Sequence, residues 1–346
     1  MEIWGHTADG VAVPIYTLTT AQIEVRIIAF GAKLVSIRTP DRSGKMADVV
    51  LGFDRLEDYL RAPNPYFGAV VGRYGNRIAG GKFSIDGITY QIPINNGPNA
   101  LHGGPVGFDK YVWQASEIQD GVEFTHVSPD GDMGFPGTLT AKARYTLAAG
   151  ALRIDYSATT DKATVLNLTN HAYFNLHGDD AGNILDMQVE LNADRFTPVN
   201  SGLIPTGELR PVAGTPLDFR KPEAVGARIG SDYDQLKLAG GYDHNFVVNG
   251  EPGTLRVAAV VADPVSGRRM TVETTEPGVQ FYSGNFLDGS FTGRHGTKYG
   301  KRTGFCLETQ HFPDSPNHEN FPSTLLRPGE TYRSTTTFAF DTVEAN

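Results

Sequence analysis

Apolar and polar residues alternate with period two along most of the chain, the spacing of half-buried β-strands rather than of helices. Ile23, Val25 and Ile27 are interleaved with Glu24 and Arg26. Phe83 and Ile85, then Asp86-Gly87, then Ile88, Tyr90 and Ile92 form two alternating arms around the dipeptide favoured by type I′ turns, which predicts a hairpin. The pattern returns at Leu139, Ala141, Ala143, Tyr145 and Leu147, passes Gly150, and resumes at Leu152, Ile154 and Tyr156. It recurs at Leu255, Val257, Ala259 and Val261, runs on from Met270 to Phe281, and closes with Tyr332, Ser334, Thr336, Phe338 and Phe340. Arg55 to Leu60 is the one stretch that reads as a short helix. Strands at this spacing, separated by Gly, Pro, Asn and Asp turns, predict an all-β fold, a large antiparallel β-sandwich with few short helices.

Composition agrees with that pattern. Gly 40 and Pro 21 make about 18% of the 346 residues, enough for many turns yet below low-complexity levels. No linker, repeat or charge block divides the chain, so a single domain over residues 1–346 is expected, with two abutting sandwiches as the alternative. The net charge of −9 comes without a Lys/Arg stripe, which makes nucleic acid and anionic membrane poor partners and leaves a neutral small molecule easier to accommodate. The single cysteine, Cys306, excludes an internal disulfide and any multi-thiolate zinc site. Neither a signal peptide nor a membrane-spanning segment is visible, so a cytoplasmic location is expected.

Five stretches concentrate ionisable residues among Gly, Asn and aromatics. In Gly72-Arg73-Tyr74-Gly75-Asn76-Arg77-Ile78, Arg77 either offers a planar fork of donors to vicinal hydroxyls or a carboxylate, or is an exposed turn arginine. In Leu101-His102-Gly103-Gly104 the glycines let a backbone or a ligand approach His102 closely, or only build a turn. From Leu166 to His177, alternation would put Asn167, Thr169, His171, Tyr173 and Asn175 on one face of a strand, bordering either a cavity or a paired network. In Gly241 to Val247, Asp243 shares parity with Asn245, suited to hydroxyls, although an Asp at a strand start is also a common turn residue. In Thr303 to Phe312, Phe305 and Leu307 occupy one face and Cys306, Glu308 and Gln310 the other. Glu308 is then a tuned base, or an edge carboxylate facing water.

Together these motifs resemble the aldose 1-epimerase (galactose mutarotase) family over essentially the whole chain. The resemblance is carried in order by Gly72-Arg73 with Asn76-Arg77-Ile78, Leu101 to Gly104, Gly107 to Lys110, Asn170 to Leu176, Asp218-Phe219-Arg220, Tyr242 to Phe246, Gly278 to Asn285 and Glu308 to Asp314. Ala172, where the family often has Ser, and Glu319, which interrupts an Asn-His-Pro-Asn-like stretch, depart from the pattern without touching the proposed chemistry.

The resemblance implies the galactose mutarotase-like supersandwich with an open sugar cleft, no metal and no cofactor. It implies interconversion of α and β anomers of free aldohexoses such as galactose and glucose, feeding hexose metabolism. Glu308 would be the general base, His171 the general acid and His102 an assistant at the ring oxygen, with Asn76, Arg77, Tyr173, Asp243 and Gln280 holding the sugar. A monomer or weak homodimer is expected. Three other readings compete: a non-catalytic carbohydrate-binding sandwich, an epimerase of a phosphorylated hexose, and a metal-dependent hydrolase using His102, His171, Asp243 and Glu308. The second calls for more basic residues at the rim than Arg73 and Arg77. The third lacks a zinc-binding spacing.

Overall fold

The predicted hairpins form, and their turns show why. In the computed structural model, which describes residues 1–344, Lys82–Ile85 pairs antiparallel with Ile88–Gln91 across Asp86 (φ 51°) and Gly87 (φ 79°), the two positive φ angles of a type I′ turn. Leu139–Ala148 and Ala151–Thr160 are joined in the same way through Ala149 (φ 47°) and Gly150 (φ 77°).

Those two long strands belong to a nine-stranded antiparallel sheet that also contains Tyr332–Thr342, Arg268–Thr274 and Arg256–Ala262. Two five-stranded sheets accompany it. One is the meander from Glu2–His6 to Met46–Asp48. The other is ordered Arg210–Pro211, Arg195–Thr197, Asp243–Val247, Gly278–Tyr282, Cys306–Gln310. Side chains from all three sheets meet in one contiguous apolar core, including Val25 and Leu34, Tyr145 and Phe338, and Phe281 and Leu307. This is the all-β sandwich that the alternation predicts.

Three local expectations need correction. Arg256–Ala262 carries a bulge between Val257 and Ala259, so Val257 is exposed while Ala258 and Ala259 are both buried, and strict alternation is lost there. Besides the expected helix, found at Leu56–Leu60, two more short helices form at Val225–Arg228 and Asp234–Ala239. They are single turns or little more, too short for a period of 3.6 to show.

The third correction concerns residues 166–177. Only Thr169–Asn170 is a strand, paired with Val70–Val71. The Asn167 amide donates to the Gly75 and His311 carbonyls, and the Asn175 amide to those of Gly182 and Thr303, so these two serve irregular backbone on different sides. Loop carbonyls buried without a ladder need such donors, and supplying them takes the chain out of a regular strand.

Candidate active site

The site is written on the sheet that ends in Cys306–Gln310. Its register places Asp243 opposite Tyr282 and Tyr282 opposite Cys306; one step along, Asn245 lies opposite Gln280 and Gln280 opposite Glu308. Directly opposed residues share a face, so these six project together, with Gln310 beyond them. The other face carries Phe246, Val279, Phe281 and Leu307 into the core. Both faces are therefore buried, one by hydrocarbon and one under the walls of a pocket.

Those walls come from the segments around Tyr66, Arg77, His102 and His171. Arg77–Ile78 pairs with Ala100–Leu101, which sets Arg77 opposite Leu101 and brings His102 beside Asn76. Gly103 makes this approach possible: at φ 85°, a Cβ on it would lie 2.1 Å from the Gly72 carbonyl oxygen. His171 is fixed by its backbone, whose N–H donates to the Ala69 carbonyl and whose carbonyl accepts from Gly68. Tyr66 then packs against both imidazoles, with ring centroids 4.6 Å from His102 and 5.6 Å from His171.

The resulting pocket of about 180 Å³ is lined by Asn76, Arg77, His102, His171, Tyr173, Asp243 and Glu308, together with Pro65, Tyr66, Leu101, Tyr282 and Phe286. That is room for roughly six waters, the scale of one sugar ring rather than a long chain. Seven of the eight residues expected to form the site thus share one cavity. Gln280 stands behind it: its amide donates to Asp243 Oδ1 at 2.8 Å and its carbonyl oxygen accepts from Gln310 at 3.2 Å. Gln310, Gln280 and Asp243 form a relay that orients the Asp243 carboxylate, with Arg77 3.9 Å from its other oxygen.

Tyr66, Tyr282 and Phe286 are lining residues that sequence reasoning missed. For Tyr282 a signal existed, since it shares parity with Gln280 in a strand already singled out. Tyr66 and Phe286 reach the pocket from loops that carry no periodic signal.

Burial governs the charges. Glu308 is 3% exposed, its Oε2 has no partner, and its pKa is pushed well above the carboxylate range by desolvation and then by the charge of Asp243, against the opposing pull of Arg77. His171, whose Nε2 lies 3.7 Å from Glu308 Oε1, is lowered to about 4 by desolvation, opposed by its own backbone carbonyl and by Asp109. His102 is lowered well below the usual imidazole value by burial and by the neighbouring His171, Arg77 and Lys110. Asp243 is raised by burial, against Arg77 and the Gln280 hydrogen bond.

His102, His171 and Glu308 each offer a ligand atom within 4.8 Å of the others, which calls for a test of the metal reading. Nδ1 of His102 accepts the Asn76 backbone N–H at 3.0 Å, so the neutral ring carries its proton on Nε2. That nitrogen is a donor rather than a metal ligand, and the arrangement suits an oxygen-rich substrate better than an ion.

Arg73 does not reach the site. Its guanidinium is 2% exposed and donates to the carbonyls of Ser128, Pro129, Pro136 and Gly137 and to the Ser128 hydroxyl. Lys110, 5.4 Å from the Tyr66 ring, is paired with Asp109 at 3.0 Å. Among the described residues, the rim therefore has no cluster of free cations for a phosphate.

A family model described as Aldose 1-epimerase matches residues 14–339. Galactose mutarotase of Bos taurus is 50% identical over 325 residues, covering 94% of this chain and 93% of that one. Among solved structures, a GalM/aldose epimerase homologue from C. elegans superposes with a TM-score of 0.88 at 30% identity, covering 96% of this chain and all of the other. Galactose 1-epimerase from Lactobacillus acidophilus NCFM gives a TM-score of 0.86 at 30% identity, with 99% and 98% covered. With the model matching most of the chain and a relative identical at half of the aligned positions, the chain belongs to the aldose 1-epimerase family.

Proposed function

We propose that the protein interconverts the α and β anomers of free aldohexoses, with Glu308 as base and His171 as acid. One observation carries this reading: a buried carboxylate with an unpartnered oxygen lies 3.7 Å from a buried imidazole, in a pocket of one sugar's size.

Glu308 accepts the proton of the C1 hydroxyl while His171 Nε2 gives a proton to the ring oxygen. The bond between C1 and that oxygen breaks, leaving an open-chain aldehyde. Rotation about C1–C2 presents the other carbonyl face. The C5 hydroxyl adds to it, returning its proton to His171 as Glu308 protonates the carbonyl oxygen. Protons and electrons balance within the pair, and the Nε2–H of His102 is a fixed donor for a substrate oxygen. Asp243, Arg77 and Asn76 are placed for the remaining hydroxyls.

The pKa directions support this cycle. Once the ring is open, Glu308 is protonated and His171 neutral, the two forms that burial favours. Desolvation thus pulls the two protons in the direction of ring opening, and the charge-separated form needed for the cyclic sugar is reached by moving one proton across the pair.

A carbohydrate-binding protein without catalysis has no use for an unpaired, buried Glu308, and a phosphorylated hexose finds no free cation cluster at the rim. Free galactose and glucose are therefore the substrates we infer, and the cytoplasm is the compartment consistent with one buried thiol. Among the described residues, no helix is long and apolar enough to cross a membrane.

Polarimetry on pure α-galactose, corrected for the spontaneous rate, tests the roles. Glu308→Gln and His171→Gln are each expected to lower kcat by ~10²–10⁴-fold with the fold intact. A folded Glu308→Gln variant within tenfold of wild type would remove the base assignment.

A further inference from the structure

Cys306 takes no part in these proton transfers, yet it touches a group that does. It stands two residues before Glu308 on the pocket-facing side of the strand, fully buried, with Sγ 3.6 Å from Nδ1 of His171. Among the described residues this thiol is the one side chain within hydrogen-bonding distance of the His171 ring.

The other groups around the ring have different commitments. Tyr66, His102, Tyr173 and Tyr282 face it with centroid separations of 5.1–6.5 Å. The Tyr173 hydroxyl donates to the Pro65 carbonyl, the Tyr282 hydroxyl accepts the Phe286 N–H, and Glu308 lies on the Nε2 side. Asp109 acts on the ring as a charge.

The acid cycle requires His171 to give and retake a proton at Nε2. Its neutral form must then keep the other proton on Nδ1, because a neutral ring protonated on Nε2 has no lone pair there to receive the C5 hydroxyl proton. A buried Nδ1–H needs an acceptor. A carboxylate in that place would hold the imidazolium and make it a reluctant donor, whereas hydrocarbon would leave the N–H only the residue's own backbone carbonyl. Sulfur is a weak acceptor, and burial keeps the thiol protonated, its pKa raised first by desolvation and then by Glu308 and Asp243.

We propose that Cys306 is a positioning residue for the acid: its Sγ accepts the Nδ1–H of His171 and holds the ring in the tautomer whose Nε2 faces Glu308 and the substrate. This rests on the reading of His171 as the acid.

Two measurements test it. In wild-type protein at neutral pH, where His171 is uncharged, ¹⁵N NMR of the ring should show the proton on Nδ1; a proton on Nε2 overturns the proposal without any variant. Cys306→Ala should lower kcat ~10-fold, the usual scale for one lost buried hydrogen bond, with KM within about twofold. Cys306→Ser, whose hydroxyl oxygen accepts the same N–H, should regain all but about threefold. An unchanged kcat in folded Cys306→Ala overturns the proposal. His171→Gln separates the two failures: if it stays active, the acid assignment is wrong, whereas if it is inactive while Cys306→Ala is unaffected, only the role of Cys306 falls.

Discussion

At the scale of residues, desolvation decides the protonation of the site, and the sign of the pH response follows from it. In the proposed roles, the Glu308 and His171 pair works while it holds one proton between its two members. Adding a second requires charging His171 while Glu308 is already neutral, which occurs as pH falls through about 4. Losing the only proton requires ionising Glu308 beside Asp243, which is delayed to well above the usual carboxylate range. The profile of kcat/KM against pH should therefore be bell-shaped, with its acid limb near 4 rather than near the ordinary imidazole value of ~6.5. Half of kcat/KM lost near pH 6.5 on the acid side would mean that His171 titrates as a solvated ring. The residues of this pair were legible in sequence because each sits in a recognisable motif with polar neighbours. The position of Gln280 was not, because whether an amide meets a ligand or its neighbour Asp243 depends on cross-strand pairing, which one strand alone does not reveal.

At the scale of elements, alternation was readable wherever a strand has one polar and one apolar face, and it failed where backbone needs were met by side chains. The three strands Asp243–Val247, Gly278–Tyr282 and Cys306–Gln310 kept their parity, so Cys306, Glu308 and Gln310 project together as their spacing implies. Residues 166–177 did not, because Asn167 and Asn175 turn to loop carbonyls on different sides. Turn chemistry carries its own prediction. Ala149 is exposed and occupies the first central position of a type I′ turn at φ 47°, a region that costs an alanine ~1–2 kcal/mol. Asparagine tolerates that conformation and precedes Gly150 as in the favoured Asn-Gly pair. Ala149→Asn should stabilise the protein by ~0.5–1 kcal/mol in urea unfolding, with kcat unchanged because the turn lies outside the pocket. A loss of stability would show that this turn does not hold the strained geometry in solution.

At the scale of the whole molecule, the pocket is assembled from distant parts of the chain: Asn76 and His102 from the first third, His171 from the middle, Asp243 and Glu308 from the last third. No contiguous half of the sequence contains a complete site. The apolar core has the same character, since Val25, Tyr145, Phe281 and Phe338 belong to one cluster. On the single-domain reading, neither half could unfold and leave the other with its core and ligand intact. Calorimetry should then show one transition with equal calorimetric and van't Hoff enthalpies. Because the pocket is lined by residues from every third of the chain, galactose at about 100 times its Kd should move that whole transition, adding ~2.7 kcal/mol, or about 4 °C for a protein of this length. Two abutting sandwiches would instead give two steps, with the sugar shifting only the one that holds the pocket. That outcome would replace the single-domain reading with the alternative the sequence left open.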